Sequence, residues 1–497
     1  MNNINKKKKL GQVFTPIEIA QFMSDLVSNS QAKTVLDPAV GQGIFIDCLE
    51  KAKYQNMNYT CYDIDKEVIK EFRKNISAPV NLFIEDYLSS FCENKFDIII
   101  CNPPYNKFQQ IPNRNKYIAN FREWFNIEMS SYSNLCVYFL IKSLHELTEN
   151  GKCVYIIPYE FFNTEYGIGV KKYLLESKRL KAIYKFDSTI KLFDDAITTS
   201  CILFFDGNQN EKIDFIYIRS IDELETKKFF KVNTHSNSDI NPNGKWNRYF
   251  SDEKKFRSSK LVFFKDIAQV KRGIATGNNK FFCLSRDQVR DLKISEESLV
   301  RCVTKSADVE RFIFTREDFA RLEKQNKKVF LFDGEKAKSE YDSYYINYGK
   351  AQRVDQGYLN SHKNPWYALE KRAPAPIWIT VFSRNKLKII RNESGVKNLT
   401  TFHGIYFNEK NEEYINLFFC YLLTPIGHEH LCINKRDYGN GLNKFEPNDL
   451  NNALILDLSM ISLADRRKIL YCYDQIKDQG VTQEILEKMN NIFLCYV

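Results

Sequence analysis

Phe96-Asp97-Ile98-Ile99-Ile100-Cys101-Asn102-Pro103-Pro104-Tyr105 is the stretch on which the reading of this chain turns. Its first six residues are apolar and β-branched enough to predict a fully buried strand. Two consecutive prolines then end it, because neither has an N–H to donate and each fixes its own φ. An amide and an aromatic ring are left at the carboxyl end of the strand, the edge where ligands sit in open α/β sheets. A rigid Asn-Pro-Pro-Tyr there suits gripping an exocyclic amino group while a ring stacks on the planar system that carries it.

Upstream, Val35-Leu36-Asp37-Pro38-Ala39-Val40-Gly41-Gln42-Gly43-Ile44-Phe45 reads as a short strand, a glycine turn and the start of a helix. Glycines at 41 and 43 let the backbone pass close to a ligand, and Asp37 carries the charge to hold an ammonium. A second strand, Tyr59 to Tyr62, ends in Asp63, about twenty residues beyond the turn, where an acidic residue can reach ribose hydroxyls. A third, Val80 to Ile84, ends in Glu85-Asp86. The phosphate-binding pattern G-x-G-x-x-G is absent, which argues for a nucleoside cofactor without phosphates and against NAD or ATP. Nearer the amino terminus, Thr15-Pro16-Ile17-Glu18 predicts a capping box, with Thr15 as N-cap, Pro16 at N1 and Glu18 at N3.

In this order, F-T-P, D-P-A-x-G-x-G, an acidic end to strand two, Asp at strand three and N-P-P-Y resemble the γ class, or TaqI-like type, of DNA adenine-N6 methyltransferases of restriction-modification systems. The resemblance carries motifs from residue 10 to about 205 and continues more loosely to about 460. It implies a Rossmann-like α/β fold with a mostly parallel seven-stranded sheet and one reversed strand, and S-adenosylmethionine as cofactor. Val13 (through its backbone) and Thr15 then hold the cofactor's carboxylate, Asp37 its amino group, Asp63 its ribose and Asp86 its adenine amino group. Pro38, Ala39, Val40, Gly41, Tyr87 and Pro104 complete the cofactor site. Asn102, Pro103 and Tyr105 are implied to be catalytic. Phe193, in Leu192-Phe193-Asp194-Asp195-Ala196 before a late strand, is implied to stack on the target base with Tyr105. The two acids after Phe193 depart from the neutral or basic residues usual in relatives.

The chemistry agrees. The adenine N6 lone pair is delocalised into the ring, and hydrogen bonds from N6 to the Asn102 oxygen and the Pro103 carbonyl would localise it for in-line attack on a sulfonium methyl. A duplex hides N6, so the base must be flipped out. Stacking on Tyr105 and Phe193 would return about 1–3 kcal/mol per base.

A length of 497 residues allows two to three domains, and a net charge of +10 favours a polyanionic partner, here double-stranded DNA. Lys6 to Lys9 reads as a solvated tail. No apolar run reaches membrane-spanning length and no signal-peptide pattern opens the chain. The odd count of 13 cysteines without C-x-x-C predicts reduced thiols in a cytoplasmic protein, and the resemblance implies association with the nucleoid. His428-Glu429-His430 reads as surface, and no metal is expected.

Farther along, Leu135 to Leu147 predicts a helix capped by Asn150-Gly151. Lys152 to Ile157 is a strand and Gly169 to Glu176 a helix. Leu180 to Phe186 and Thr198 to Phe205 are strands pairing antiparallel at one sheet edge. The polar stretch Asn233 to Gly244 marks the expected boundary between a catalytic domain, 1–245, and a mixed α+β target-recognition domain, 246–497, with an amphipathic helical tail from Ala464 to Tyr496. Lys271, Arg272, Lys280 and Arg436, in segments resembling those of such domains, are candidate DNA contacts.

Three other readings stay in view. N-P-P-Y also serves enzymes that methylate a protein glutamine amide or an RNA amino group, but a protein-glutamine enzyme does not need a basic, aromatic stretch of about 200 residues, a domain's length. Modification subunits of multisubunit restriction systems carry a helical domain before the motifs and borrow specificity from another chain. A fused nuclease finds no stretch left to hold it. The expectation is a stand-alone, monomeric modification enzyme paired with a separate cognate endonuclease.

Overall fold

The computed structural model describes the chain except residues 1–10, 12, 52–56, 77, 92, 165, 194–198, 208, 251–259, 385–386, 410, 433–435 and 439–441. The Lys6–Lys9 run and the Asp194–Asp195 pair thus lie outside the described residues. The chain divides into two compact units, one of Met1–Glu253 with Arg436–Leu442, the other of Lys254–Lys435 with Asn443–Val497.

The first unit is built on a nine-stranded sheet. Its strands are β1 (Thr34–Asp37), β2 (Asn58–Tyr62), β3 (Val80–Phe83), β4 (Phe96–Cys101), β5 (Leu147–Pro158), β6 (Leu180–Phe186), β7 (Ser200–Asp206), β8 (Lys212–Ile218) and β9 (Lys231–Ser236). Their order is β3-β2-β1-β4-β5-β7-β6-β8-β9. β1 to β5 run parallel, while β7 is reversed between β5 and β6. β4 shows why both faces are covered. Ile99 and Cys101 pack into one apolar layer, under α4 (Arg114–Phe125) and α5 (Leu135–His145), and Ile98 and Ile100 into the other. That second layer holds α1 (Ile17–Val27), α2 (Ile44–Lys51) and α3 (Lys66–Asn75).

The α/β fold with a mostly parallel sheet is as the sequence leads one to expect, and four details differ. The sheet has nine strands rather than seven, two of them reversed (β7 and β9) rather than one, and the β6–β7 pair is internal rather than at an edge, because β8 pairs with β6 and β9, antiparallel, with β8. Asn150-Gly151 caps no helix. α5 ends at His145, and the dipeptide lies inside β5, where the ladder with β4 jumps from Phe96–Leu147 to Ile98–Lys152. An extra loop of chain is absorbed there as an irregularity in the pairing. The stretch 233–244 is no linker, since its first residues belong to β9. The chain then adds Trp246, Tyr249 and Phe250 to the core of the first unit, with Trp246 stacked on Phe162 at 4.8 Å between centroids. The division therefore falls at Glu253 and not at 245.

The second unit holds a five-stranded sheet in the order Ala268–Arg272, Phe402–Phe407, Ile377–Thr380, Ile389–Asn392, Ile313–Phe314. Its largest apolar cluster joins this sheet to helices Glu412–Leu423, Leu463–Gln479 and Gln483–Leu494. The last two form the expected helical tail. His430, expected at the surface, is buried and hydrogen-bonded to the Tyr421 hydroxyl. Its helix, Pro425–Cys432, sits against the core rather than outside it. Among the described residues no group of three His, Cys, Asp or Glu is placed to hold a metal, and no helix is long and apolar enough to cross a membrane.

Candidate active site

The winding of the first unit's sheet reverses between β1 and β4, and a crevice opens at the carboxyl ends of strands at such a switch point. A pocket of about 330 Å³ lies there. Val13, Pro38, Ala39, Gly41, Asp63, Asp86, Tyr87, Asn102, Pro103 and Pro104 line it, so ten of the residues singled out from sequence meet in one cavity.

The turn after β1 is held to the end of β2 by two bonds. The Val40 N–H donates to Tyr62 O at 2.9 Å and the Gly41 N–H to Asp63 Oδ2 at 3.0 Å. Val40 itself is buried and does not line the pocket. Gly41 has φ +55° and a Cβ there would meet open space, whereas a Cβ on Gly43, at φ +86°, would stand 2.7 Å from both Phe72 and Ile76. The first glycine leaves the backbone open toward a ligand, and the second lets α2 pack tightly on α3.

Asp63 and Asp86 line the pocket, whereas Asp37 lies buried behind it and, like Thr15, does not line it. Asp37, fully buried at the end of β1, takes the Ala39 N–H on Oδ1 at 3.1 Å, while Oδ2 has no partner. Burial pushes its pKa up to about 8, opposed by the Ala39 N–H and helped by the charge of Asp63. Asp63 accepts from Gly41 and, through Oδ1, from the Asp65 N–H at 2.8 Å, and burial raises its pKa against those bonds. Asp86 takes three donors, Leu88 N–H at 3.0 Å, Ser89 Oγ at 2.5 Å and the Tyr117 hydroxyl at 2.7 Å. These three bonds fix the Asp86 carboxylate at the pocket wall.

Asn102 is held by the amino-terminal segment. Its Nδ2 donates to Val13 O at 2.9 Å and to Thr15 Oγ1 at 3.0 Å, and its Oδ1 is buried without a partner. The Tyr105 N–H donates to Gly11 O at 3.0 Å and its hydroxyl to Ile156 O at 3.3 Å. Thr15 does not cap α1. The N-cap is Pro16, with no side-chain hydrogen bond, because the threonine hydroxyl is turned to Asn102 instead. Tyr105 meets Phe193 edge to face, 6.0 Å between centroids at 81°. Phe193 is buried, and neither ring lines the pocket.

The sequence leaves other lining residues unmarked. Ile64, Gln110, Ile111, Tyr117 and Phe139 also form the pocket wall. Ile64, 55% exposed and directly after Asp63, carried a signal in its place at a strand end, whereas Tyr117 and Phe139 come from helices with no local mark. The Tyr87 hydroxyl, behind the wall, donates to Glu146 Oε2 at 2.6 Å, and Glu146 forms a buried pair with Lys142 at 2.5 Å. In the second unit Lys271, Arg272 and Lys280 are exposed, whereas Arg436, expected in the second domain, falls with the first unit, and its side chain lies outside the described residues.

The glycine turn, the unpaired Asp37 oxygen and the aimed Asn102 amide fit a nucleoside cofactor bearing an ammonium, and an amino group as target. Residues 1–274 match the sequence model of the family N-6 DNA Methylase, and residues 245–494 that of the C-terminal domain of the type II methyltransferase M.Eco57I. The chain belongs to the N-6 DNA methylase family. This methylase is 37% identical over 509 residues to the type II methyltransferase M.AccI of Acinetobacter calcoaceticus, covering 99% of the methylase and 94% of that relative. It is 26% identical over 338 residues to the type II methyltransferase M.HindII of Haemophilus influenzae, covering 63% of the methylase and 62% of that relative. A solved structure of a nuclease-deletion mutant of the type ISP restriction-modification enzyme LlaGI, in complex with a DNA substrate mimic, shares the fold. The TM-score is 0.52 at 12% identity, with 95% of the methylase and 47% of that chain covered. The methylase thus spans about half the length of that structure.

Proposed function

We propose that this methylase transfers a methyl group from S-adenosylmethionine to N6 of an adenine flipped out of duplex DNA, as the modification enzyme of a type II restriction-modification system. The observation that carries this reading is the Asn102 amide, with both N–H groups bonded inside the protein and Oδ1 buried and unbonded. A buried acceptor without a donor costs about 1–3 kcal/mol, and a substrate N–H is the group that answers it.

When bound, the cofactor supplies a methyl on a sulfonium already activated for transfer. Asp37 Oδ2 accepts from its ammonium and Asp63 from its ribose hydroxyls. Asp86 would take its adenine amino group, and Val13 and Thr15 would hold its carboxylate. Asn102 Oδ1 and the Pro103 carbonyl accept the two N6 hydrogens of the target and pull the nitrogen toward sp³, which localises the lone pair for in-line attack; the N–C bond would form as the S–C bond breaks, with a neutral thioether leaving and one N6 proton passing to water. Tyr105, pinned at its N–H and its hydroxyl, offers a ring of fixed plane to the flipped base, with Phe193 beside it. The second unit reads the target sequence, and Lys271, Arg272 and Lys280 suit phosphate contacts. The enzyme acts as a monomer in the cytoplasm, near the nucleoid, and protects host DNA from a separate cognate endonuclease.

Methylation-sensitive long-read sequencing of DNA from expressing cells should find N6-methyladenine at one sequence motif and none with Asn102→Ala. Methyl transfer to protein glutamine or RNA with unmodified DNA overturns the reading.

A further inference from the structure

Val13 O, a backbone carbonyl, can only accept a hydrogen bond, so the NH2 group of Asn102 must face it at 2.9 Å. The flipped amide, oxygen against oxygen, is excluded. The second N–H goes to Thr15 Oγ1 at 3.0 Å, and Oδ1 is left as the one unbonded polar atom of the side chain. Thr15 is 9% exposed and contributes no cap to the helix it precedes. Its hydroxyl therefore serves Asn102 and not the helix.

We propose that Thr15 is a positioning residue for methyl transfer. Its hydroxyl holds the Asn102 amide in the orientation that aims Oδ1 at the target nitrogen, and it links that amide to the carboxylate end of the cofactor. The inference rests on the adenine-N6 reading above. Oγ1 accepts from Asn102, so its own hydrogen is left to donate to the cofactor carboxylate. Hydrogen bonds in such a row polarise one another. An amide that donates more strongly from nitrogen carries more negative charge on oxygen. Binding of cofactor thus strengthens the acceptor before the base arrives.

Thr15→Val keeps the shape and removes the hydroxyl, and Thr15→Ser keeps the hydroxyl. At saturating cofactor and DNA, single-turnover transfer should slow roughly tenfold or more in Thr15→Val and stay within about threefold of the parent in Thr15→Ser. In an Asn102→Ala background Thr15→Val should add nothing further, as expected of two residues acting as one unit. Binding gives a second readout, independent of turnover. With S-adenosylhomocysteine bound, the parent should prefer a duplex with adenine at the target over one carrying a purine without the amino group. Thr15→Val should lose that preference as Asn102→Ala does, and Thr15→Ala stands in for it should valine lower the yield of folded protein. A Thr15→Val protein that binds cofactor weakly yet transfers at the parental rate once saturated overturns the proposal. So does one whose effect adds in full to that of Asn102→Ala. A parent protein that leaves adenine unmethylated overturns the adenine reading instead.

Discussion

The Ala39 N–H reaches one oxygen of Asp37, at 3.1 Å, and leaves the other buried and unbonded. With its pKa near 8, this carboxyl is mostly protonated at neutral pH in the free protein. An ammonium partner requires it ionised. The α-amino group it would bind titrates ordinarily at about 8 as well. Below that pH both groups carry a proton before binding and the ion pair retains one of the two, so binding releases close to one proton. Above it both are deprotonated and binding takes one up. Calorimetry in buffers of different ionisation enthalpy should show release at about pH 7, uptake at about pH 9 and tightest binding between them. A proton count of zero across that range would sink the assignment of Asp37, and Asp37→Asn should abolish the release.

In the proposed reaction Asn102→Ala removes the acceptor for the target amino group. Single-turnover transfer should lose about 2.7–4 kcal/mol of transition-state stabilisation, the range for one lost preorganised hydrogen bond. Cofactor affinity should move far less. Transfer within threefold of the parent rate would show that the amide does not act on the reacting nitrogen.

The two glycines of the turn should behave differently as alanines. Gly43→Ala drives a Cβ to 2.7 Å from Phe72 and Ile76 at a positive φ. Overpacking costs about 1–3 kcal/mol, with about 1–2 kcal/mol of left-handed strain besides. Gly41→Ala meets open space, so strain alone remains. Urea unfolding should therefore place the Gly43 variant well below the Gly41 variant in midpoint, and equal midpoints would contradict the packing described here.

A fragment of residues 1–253 should unfold cooperatively and bind S-adenosylmethionine, whereas residues 1–245 should not. The shorter piece lacks Trp246, Tyr249 and Phe250, all buried, and a buried aromatic is worth about 3–5 kcal/mol. It also ends one residue past Gly244, whose carbonyl takes the Lys171 ammonium at 2.6 Å. Circular dichroism during heating decides between them, and equal stability of the two fragments would return the boundary to 245.

Where chemistry rests on local signals, the sequence was legible. Two prolines stop β4, a glycine turn follows β1 and acids end β2 and β3, and each is marked by its neighbours. Thr15 shows the limit, for T-P-x-E is written alike whether the hydroxyl caps a helix or holds an amide 87 residues away. Asn150-Gly151 resembles a helix stop, and only the pairing of Phe96 with Leu147 makes it part of a strand. The polar run from Asn233 resembled a linker because β9, paired only with β8 among the described strands, exposes alternate side chains. Tyr117 and Phe139 reach the pocket through tertiary packing, of which a single sequence holds no local trace.

Gly11, Val13 and Thr15 meet their partners, Tyr105 and Asn102, across about ninety residues of chain. Contacts so far apart along a chain form late, after the loop between them has closed. Docking of this segment therefore waits on β4 standing in its sheet. A nascent chain holding β1 to β3 has its glycine turn but no aimed amide. Until the segment docks, the sheet can be complete while the Asn102 amide still lacks both of its acceptors.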